Sequence, residues 1–152
     1  MTNLTQANTR REEGIMFKVK NTNIEVIEFS FKENQGHEKD QKFTIEPEFV
    51  GETGKLTQKK YYTQLAVGVK NREDKPFPVD IHVVTRAVFD IDNVEDETKV
   101  EKFLEKQGVH VLFPYLRSTL SSITSIAMIP PIVLPIIDAS KFFERIRKDK
   151  QT

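Results

Sequence analysis

Ten residues near the end of the chain, Met128 to Ile137 (MIPPIVLPII), constrain its fold more than any other segment. They are too apolar for a solvated loop. Pro130, Pro131 and Pro135 each remove a backbone donor and fix φ, which rules out a core helix. The run is therefore extended, and Met128, Ile129, Ile132, Val133, Leu134, Ile136 and Ile137 need an apolar surface to lie on. Two arrangements satisfy that need. Ile132, Leu134 and Ile136 pack on the domain's own sheet or helix, or part of the run borders an exposed apolar groove. Large exposed apolar patches mark interaction sites, and methionine with branched aliphatics suits partners of varied shape.

Upstream, the hydrophobic period is two. Phe17 and Val19 alternate with lysines, Ile24 and Val26 follow in the opposite parity, and Ile27, Phe29 and Phe31 alternate against Glu28, Ser30 and Lys32. A slip of one residue would send every side chain to the wrong face, so a bulge is expected near Val26–Ile27. A second strand is expected over about 42–50. Pro47 cannot donate to a ladder, which places this strand at an edge or gives it a bulge. GETGK (51–55) reads as a loop and NREDK (71–75) as a polar hairpin connection. Tyr61, Leu65, Val67 and Val69 mark a third strand, and Val79, Ile81, Val83, Ala87, Phe89 and Ile91 a fourth. Four such strands imply an antiparallel sheet with one buried and one wet face.

After Asp92 the period becomes helical. Val100, Phe103 and Leu104 predict a short helix stopping at Gly108, and Pro114 suits the first turn of the next. In that helix Leu116, Leu120, Ile123 and Ala127 form an apolar stripe. Ser118, Ser122 and Ser125 form a second stripe of small residues that would let another helix approach, within the chain or across a subunit interface. A last helix, about 139–148, turns Phe142, Phe143 and Ile146 inward. Strands first and helices after describe an α+β fold with helices packed on one face of the sheet. Residues 1–14 are expected to be a flexible N-terminal tail without a signal-peptide core, and residues 15–149 a single domain.

Lys plus Arg and Asp plus Glu each number 23, so no global field points to nucleic acid or a membrane. The stretch Ile126–Ile137 falls short of the ~20 apolar residues a spanning helix needs, so no membrane insertion is expected. The chain has no cysteine, hence no disulfide framework and no thiolate metal site, in keeping with a cytoplasmic location. GETGK lacks the first glycine and the Ser or Thr of a phosphate loop; Phe49 and Leu56 stand there. Asp90, Asp92 and Asn93 lack the glycine and closing glutamate of a calcium loop. His37, His82 and His110 have no metal-binding spacing, and the serine-rich helix has no GxSxG elbow. The residues suggest no catalytic site, no metal and no cofactor, and therefore no enzyme.

The segment LFPYLRSTLSSITSIAMIPPIVLPIIDASKFF (112–143) resembles the SecB family of export chaperones. In that family a long helix opens with LFPYAR, continues through serines and methionine, and gives way to a proline-containing extended connection and a short closing helix. Leu112, Phe113, Pro114, Tyr115 and Arg117 stand in the motif positions, and Asp138, Ala139, Phe142 and Phe143 resemble the closing helix. Phe29-Ser30-Phe31 and Val88-Phe89-Asp90-Ile91 resemble family segments in the first and fourth strands. The resemblance implies a four-stranded antiparallel sheet backed by helices and a homo-oligomer, a dimer of dimers. It also implies ATP-independent holding of unfolded preproteins or other non-native polypeptides along apolar grooves. Carried over by position, the client-binding residues are Phe17, Phe113 and Tyr115, with Met128, Ile129, Ile132, Val133 and Leu134 as a lid-like border.

The family's delivery partner, the translocase motor SecA, docks on an acidic sheet surface. Glu28 fits an acidic position there. Lys32, however, stands where the first-strand motif has its glutamate, His82 lies near another acidic position, and RIRKDKQT replaces the family's acidic tail. Charge reversal weakens a complementary partner. The resemblance therefore implies a holdase-like binder more directly than a SecA-coupled exporter, with a chaperone directed to an antitoxin, or a structural or regulatory oligomer on the same fold, as the alternatives.

Overall fold

The computed structural model describes residues 17–33, 46–74, 76–126, 128–129, 132–134 and 137–151. Along them run β1 (Lys18–Glu33), β2 (Glu48–Lys55), β3 (Lys60–Val69), β4 (Val79–Asp92), the long helix α1 (Glu97–Ile126), a 3-10 turn (Ala139–Lys141) and α2 (Phe142–Gln151). The strands form one antiparallel sheet in the order β1-β4-β3-β2. The expected tail at 1–14, the loop at 34–40 and the start of the second strand at 42–45 lie outside the described residues.

The two-residue period of β3 and β4 does what it predicts. Leu65, Val67 and Val69 with Val79, Ile81, Val83, Ala87, Phe89 and Ile91 are buried under the helices. Val100, Leu104, Leu112, Leu116 and Leu120 of α1 complete that core at helical spacing. The expected α+β fold, a four-stranded antiparallel sheet with helices on one face, is the fold observed.

Strand β1 slips register twice, between Val19 and Asn21 and between Val26 and Glu28. The second slip is the bulge expected near Ile27. The first, at Lys20, explains why Val19 and Ile24, of opposite parity in sequence, both face the core.

Two expectations are corrected. GETGK is not a loop but the second half of β2, with Gly51 opposite Leu65 and Lys55 opposite Tyr61. Its glycine marks a close approach: a Cβ on Gly51 would lie 2.9 Å from Cζ of Phe143 on α2. The turn comes later, where the Leu56 N–H donates to the Lys60 carbonyl at 2.7 Å.

Nor does a helix stop at Gly108 and another start at Pro114; α1 runs unbroken through both. Gly108 sits where the helix crosses β3, and a Cβ there would come within 2.7 Å of Cβ of Thr63. The buried Thr63 hydroxyl donates to the Leu104 carbonyl at 2.7 Å, pinning the crossing. Pro114 and His110 lie on the exposed side, so the helical hydrogen bond that proline removes is lost where water reaches.

Candidate functional site

The sheet is wider than its cover. Strands lie ~4.8 Å apart and a helix with side chains is ~10 Å across, so one long helix covers about two strands. Helix α1 lies over β3 and β4. One cross-strand row shows the consequence: Phe29 of β1, Val83 of β4, Val67 of β3 and Phe49 of β2, all on the helix-facing side. At the β2 end, Phe49 meets Phe142 of α2 edge-on at 5.8 Å and Phe113 of α1 at 6.2 Å. The β1 end is different, because Phe29 is 60% exposed, with Val26, Ile27 and Phe31 also exposed beside it. Four apolar side chains on the bulged half of an edge strand are thus left outside the core.

The connection after α1 supplies a second apolar surface. Helix α1 ends with the Met128 N–H donating to the Ser125 carbonyl (3.0 Å) and the Ile129 N–H to the Thr124 carbonyl (3.2 Å). The fully buried Thr124 hydroxyl hydrogen-bonds the carbonyls of Leu120 (3.1 Å) and Ser121 (2.9 Å) and accepts from the Ile132 N–H at 2.9 Å. Further along, Arg117 Nε donates to the Leu134 carbonyl at 2.9 Å. These bonds lay the extended run back along α1, so its side chains alternate. Ile132 and Leu134 are buried against the core, and Val133 between them is 60% exposed.

The turn after it is capped by Asp138, whose carboxylate accepts from the Ser140 hydroxyl at 2.6 Å and the Ser140 N–H at 3.1 Å. Both bonds hold that carboxyl below its ordinary pKa. Helix α2 then drops Phe142 and Phe143 onto β2.

At the other end of α1, Glu97 accepts the Tyr61 hydroxyl at 3.0 Å and pairs with Lys55 at 3.4 Å. Burial, and then the Glu97 carboxylate, raise the Tyr61 pKa; the Tyr61 hydrogen bond raises that of Lys55.

The sequence-predicted site residues therefore separate. Tyr115 (53% exposed), Val133 and Met128 (93%) face solvent, as do Ser118, Ser122 and Ser125 on the outer side of α1. Phe113, Ile132 and Leu134 are covered by the chain itself, and Ile129 is half-buried. Phe17 is half-buried against Phe103 at 5.3 Å. For Ile132 and Leu134, packing on the domain's own core is the arrangement found; Ile136 lies outside the described residues.

Sequence reasoning missed Val26, Ile27, Phe29, Phe31 and Ile126 as exposed apolar residues. Alternation identified the face of Phe29 and Phe31, but the single long helix that leaves this face incompletely covered emerges only in the folded structure.

The opposite sheet face is mostly polar and mixed in charge, with Val50 exposed upon it. Arg86 donates to Gln64 Oε1 from Nε (3.1 Å) and Nη2 (2.9 Å) and stacks over Tyr62, whose hydroxyl donates to Glu52 at 2.5 Å. Glu28 lies exposed opposite Val84, Lys32 opposite Asp80, and His82 between Ser30 and Gly68. Among the described residues no group of three or more His, Asp or Glu side chains is arranged to hold a metal ion. No helix among them is long and apolar enough to cross a membrane.

Comparison with known proteins fits this geometry. The family model described as preprotein translocase subunit SecB matches residues 10–150. An uncharacterized protein of Methanocaldococcus jannaschii is 30% identical over 138 residues, covering 88% of this chain and 86% of its own. Among solved structures, a SecB-like chaperone of Mycobacterium tuberculosis, in complex with a ChAD peptide from the HigA1 antitoxin, superposes with a TM-score of 0.65. That match has 16% identity and covers 80% of this chain and 91% of the other.

Proposed function

The chain belongs to the SecB family, and from that premise we propose that it is an ATP-independent holdase binding non-native polypeptides on its uncovered apolar surfaces. The observation that carries this reading is the asymmetric row: Phe49 is sealed by Phe113 and Phe142, while Phe29 at the other end is 60% exposed. Phe29 and Phe31 on β1, with Tyr115, Val133 and Met128 on α1 and its connection, are the proposed client contacts. Phe113, Ile132 and Leu134 support them from within.

Family membership supports a chaperone role rather than an enzymatic one. A surface burying ~500 Å² of client apolar area would gain on the order of 12 kcal/mol before ordering costs, and association and ordering consume most of that. Repetition of the surface in a homo-oligomer, a dimer of dimers as the family resemblance implies, would restore affinity through avidity. Ser118, Ser122 and Ser125 would then serve close helix packing between copies.

Two client pathways remain distinct. Export through SecA would use the polar sheet face around Glu28, where Lys32 and His82 interrupt the acidity. A chaperone directed to an antitoxin is favoured by those interruptions and by the antitoxin peptide held by the Mycobacterium tuberculosis protein.

The purified protein should suppress aggregation of a denatured model substrate without nucleotide at a few-fold molar excess, and Phe29→Asp should weaken that effect with an unchanged circular dichroism spectrum. Failure of the wild-type protein to suppress aggregation would refute the holdase reading. An unaffected Phe29→Asp variant would remove β1 from the binding surface.

A further inference from the structure

The half of β1 beyond its second bulge, Glu28-Phe29-Ser30-Phe31-Lys32, is complementary in charge to its own reverse about Ser30. Among the described residues β1 is an edge strand, with β4 on one side and no strand on the other. Its outer side therefore presents a row of backbone donors and acceptors, a template for one more strand. Alternation places Phe29 and Phe31 on the helix-facing side, opposite Val83 and Ile81. Glu28, Ser30 and Lys32 lie on the polar side, opposite Val84, His82 and Asp80. All five are exposed, Phe29 by 60% and Phe31 by 37%.

A second β1 laid antiparallel along that edge, with the helices of both copies on one side, sets residues of like face directly opposite each other. Centred on Ser30, a twofold axis brings Glu28 against the partner's Lys32 and Lys32 against the partner's Glu28. Phe29 then meets the partner's Phe31, twice over. Centred on Glu28 or on Lys32, the ladder would oppose like charges. Centred on Phe29 or on Phe31, it would set one charge against Ser30 and leave the other without its counterpart. The bulge between Val26 and Glu28 ends the ladder, so these five residues form it.

The charges identify the occupant. A client strand of arbitrary sequence does not carry a glutamate and a lysine four residues apart in the matching order, whereas a second copy of this chain does. We propose that Glu28 and Lys32 form reciprocal ion pairs across a twofold axis at Ser30, so that β1 selects another β1 and fixes the register of their pairing. This contact presupposes the homo-oligomer of the preceding reading and supplies what sets its register. Lys32, which interrupts the acidity of the polar face, has a positive role there. On the helix-facing side the same register joins Phe29 and Phe31 of both copies into one row of four rings.

Four proteins test the ion pairs: wild type, Lys32→Glu, Glu28→Lys and the exchange variant carrying both substitutions. Self-association is read by sedimentation against protomer concentration at about 50 mM salt, where exposed charges are weakly screened. Each single variant should associate with itself roughly tenfold more weakly than wild type, because both pairs become like-charged. Mixed one to one, the two singles should recover wild-type association, since each glutamate then meets a lysine. The exchange variant should associate with itself as wild type does, and poorly with wild type. The chain has no cysteine, so Ser30→Cys supplies a lone thiol on the axis. It should link two copies under mild oxidation, whereas Glu25→Cys, on the same face before the bulge, should not.

A Ser30→Cys protein that does not link, or a Glu25→Cys protein that links equally well, overturns the register. Single variants that associate as tightly as wild type, or a mixture that fails to recover association, overturn the ion pairs. Suppression of aggregation by the wild type is a separate readout. Its absence would remove the holdase reading and leave the pairing to be decided by the crosslink.

Discussion

Replacing Gly108 by alanine should destabilise the protein, although alanine is the better helix former. A Cβ at this position would lie 2.7 Å from Thr63 Cβ and 3.0 Å from Thr63 Cγ2, and closer still to the hydroxyl. Restoring a 3.4 Å carbon contact requires α1 and β3 to part by about 0.7 Å at their crossing. Thr63 is fully buried, and its hydroxyl bond to the Leu104 carbonyl is 2.7 Å long, so the same movement stretches that bond. Overpacking of this kind costs ~1–3 kcal/mol, the impaired buried bond adds ~1, and the helical preference of alanine over glycine returns ~1. The net is about 2 kcal/mol of destabilisation, or roughly 4–8 °C in Tm for a chain of this length.

Thermal and urea unfolding, followed by circular dichroism at one fixed protomer concentration, would read it, since assembly makes stability depend on concentration. Thr63→Ala removes the hydroxyl and methyl that the new Cβ meets, so the double variant should be less destabilised than the sum of the singles by about 1 kcal/mol. A Gly108→Ala protein that melts higher than wild type would refute the reasoning. It would mean that helix propensity, not the crossing, decides what stands at position 108.

The other expectations concern the connection and the end of β4. Ile132→Asp buries a carboxylate against the core and should cost several kcal/mol, visible as a large drop in Tm. Val133→Asp, one residue on and facing solvent, should stay within about 0.5 kcal/mol of wild type while weakening client binding. Equal effects of the two on stability would contradict the alternation seen in the run.

At the end of the inner strand β4, Asp92 pairs with Lys20 and with Lys59, the latter at 3.3 Å, and its carboxyl is held below its ordinary pKa, first by the Lys20 hydrogen bond. A lowered folded pKa means that the contribution is present above the unfolded value and is lost as pH falls through the folded one. The Tm difference between wild type and Asp92→Asn should therefore be present at neutral pH and shrink below about pH 4. A difference that stays constant down to about pH 3 would remove Asp92 from the acid limb.

Much of the fold was legible because it is written in local periods. The alternation of β3 and β4, the bulge at Ile27, the alternation of Ile132, Val133 and Leu134 and the inward Phe142 and Phe143 all follow from side-chain spacing. The misreadings share one cause. Gly51 and Gly108 look like a loop and a helix stop when only their neighbours in sequence are considered, yet each is a point where a distant aromatic ring or a buried threonine presses on the backbone. Pro114 looked like a helix start because its tolerance inside α1 depends on facing solvent, a property of the assembled layer.

The apolar binding candidates divide along the same line. A two-residue period says which side chains share a face, and so it determined that Phe29 and Phe31 point with the core and that Ile132, Val133 and Leu134 alternate. Whether a face is covered depends on where a helix about two strands wide comes to rest. That position is set by contacts between residues far apart in the chain: Gly108 on Thr63, Phe113 and Phe142 on Phe49, Thr124 on Ile132. Only those contacts decided that Phe49 is sealed while Phe29 is exposed, and that Leu134 is core while Val133 and Met128 face solvent.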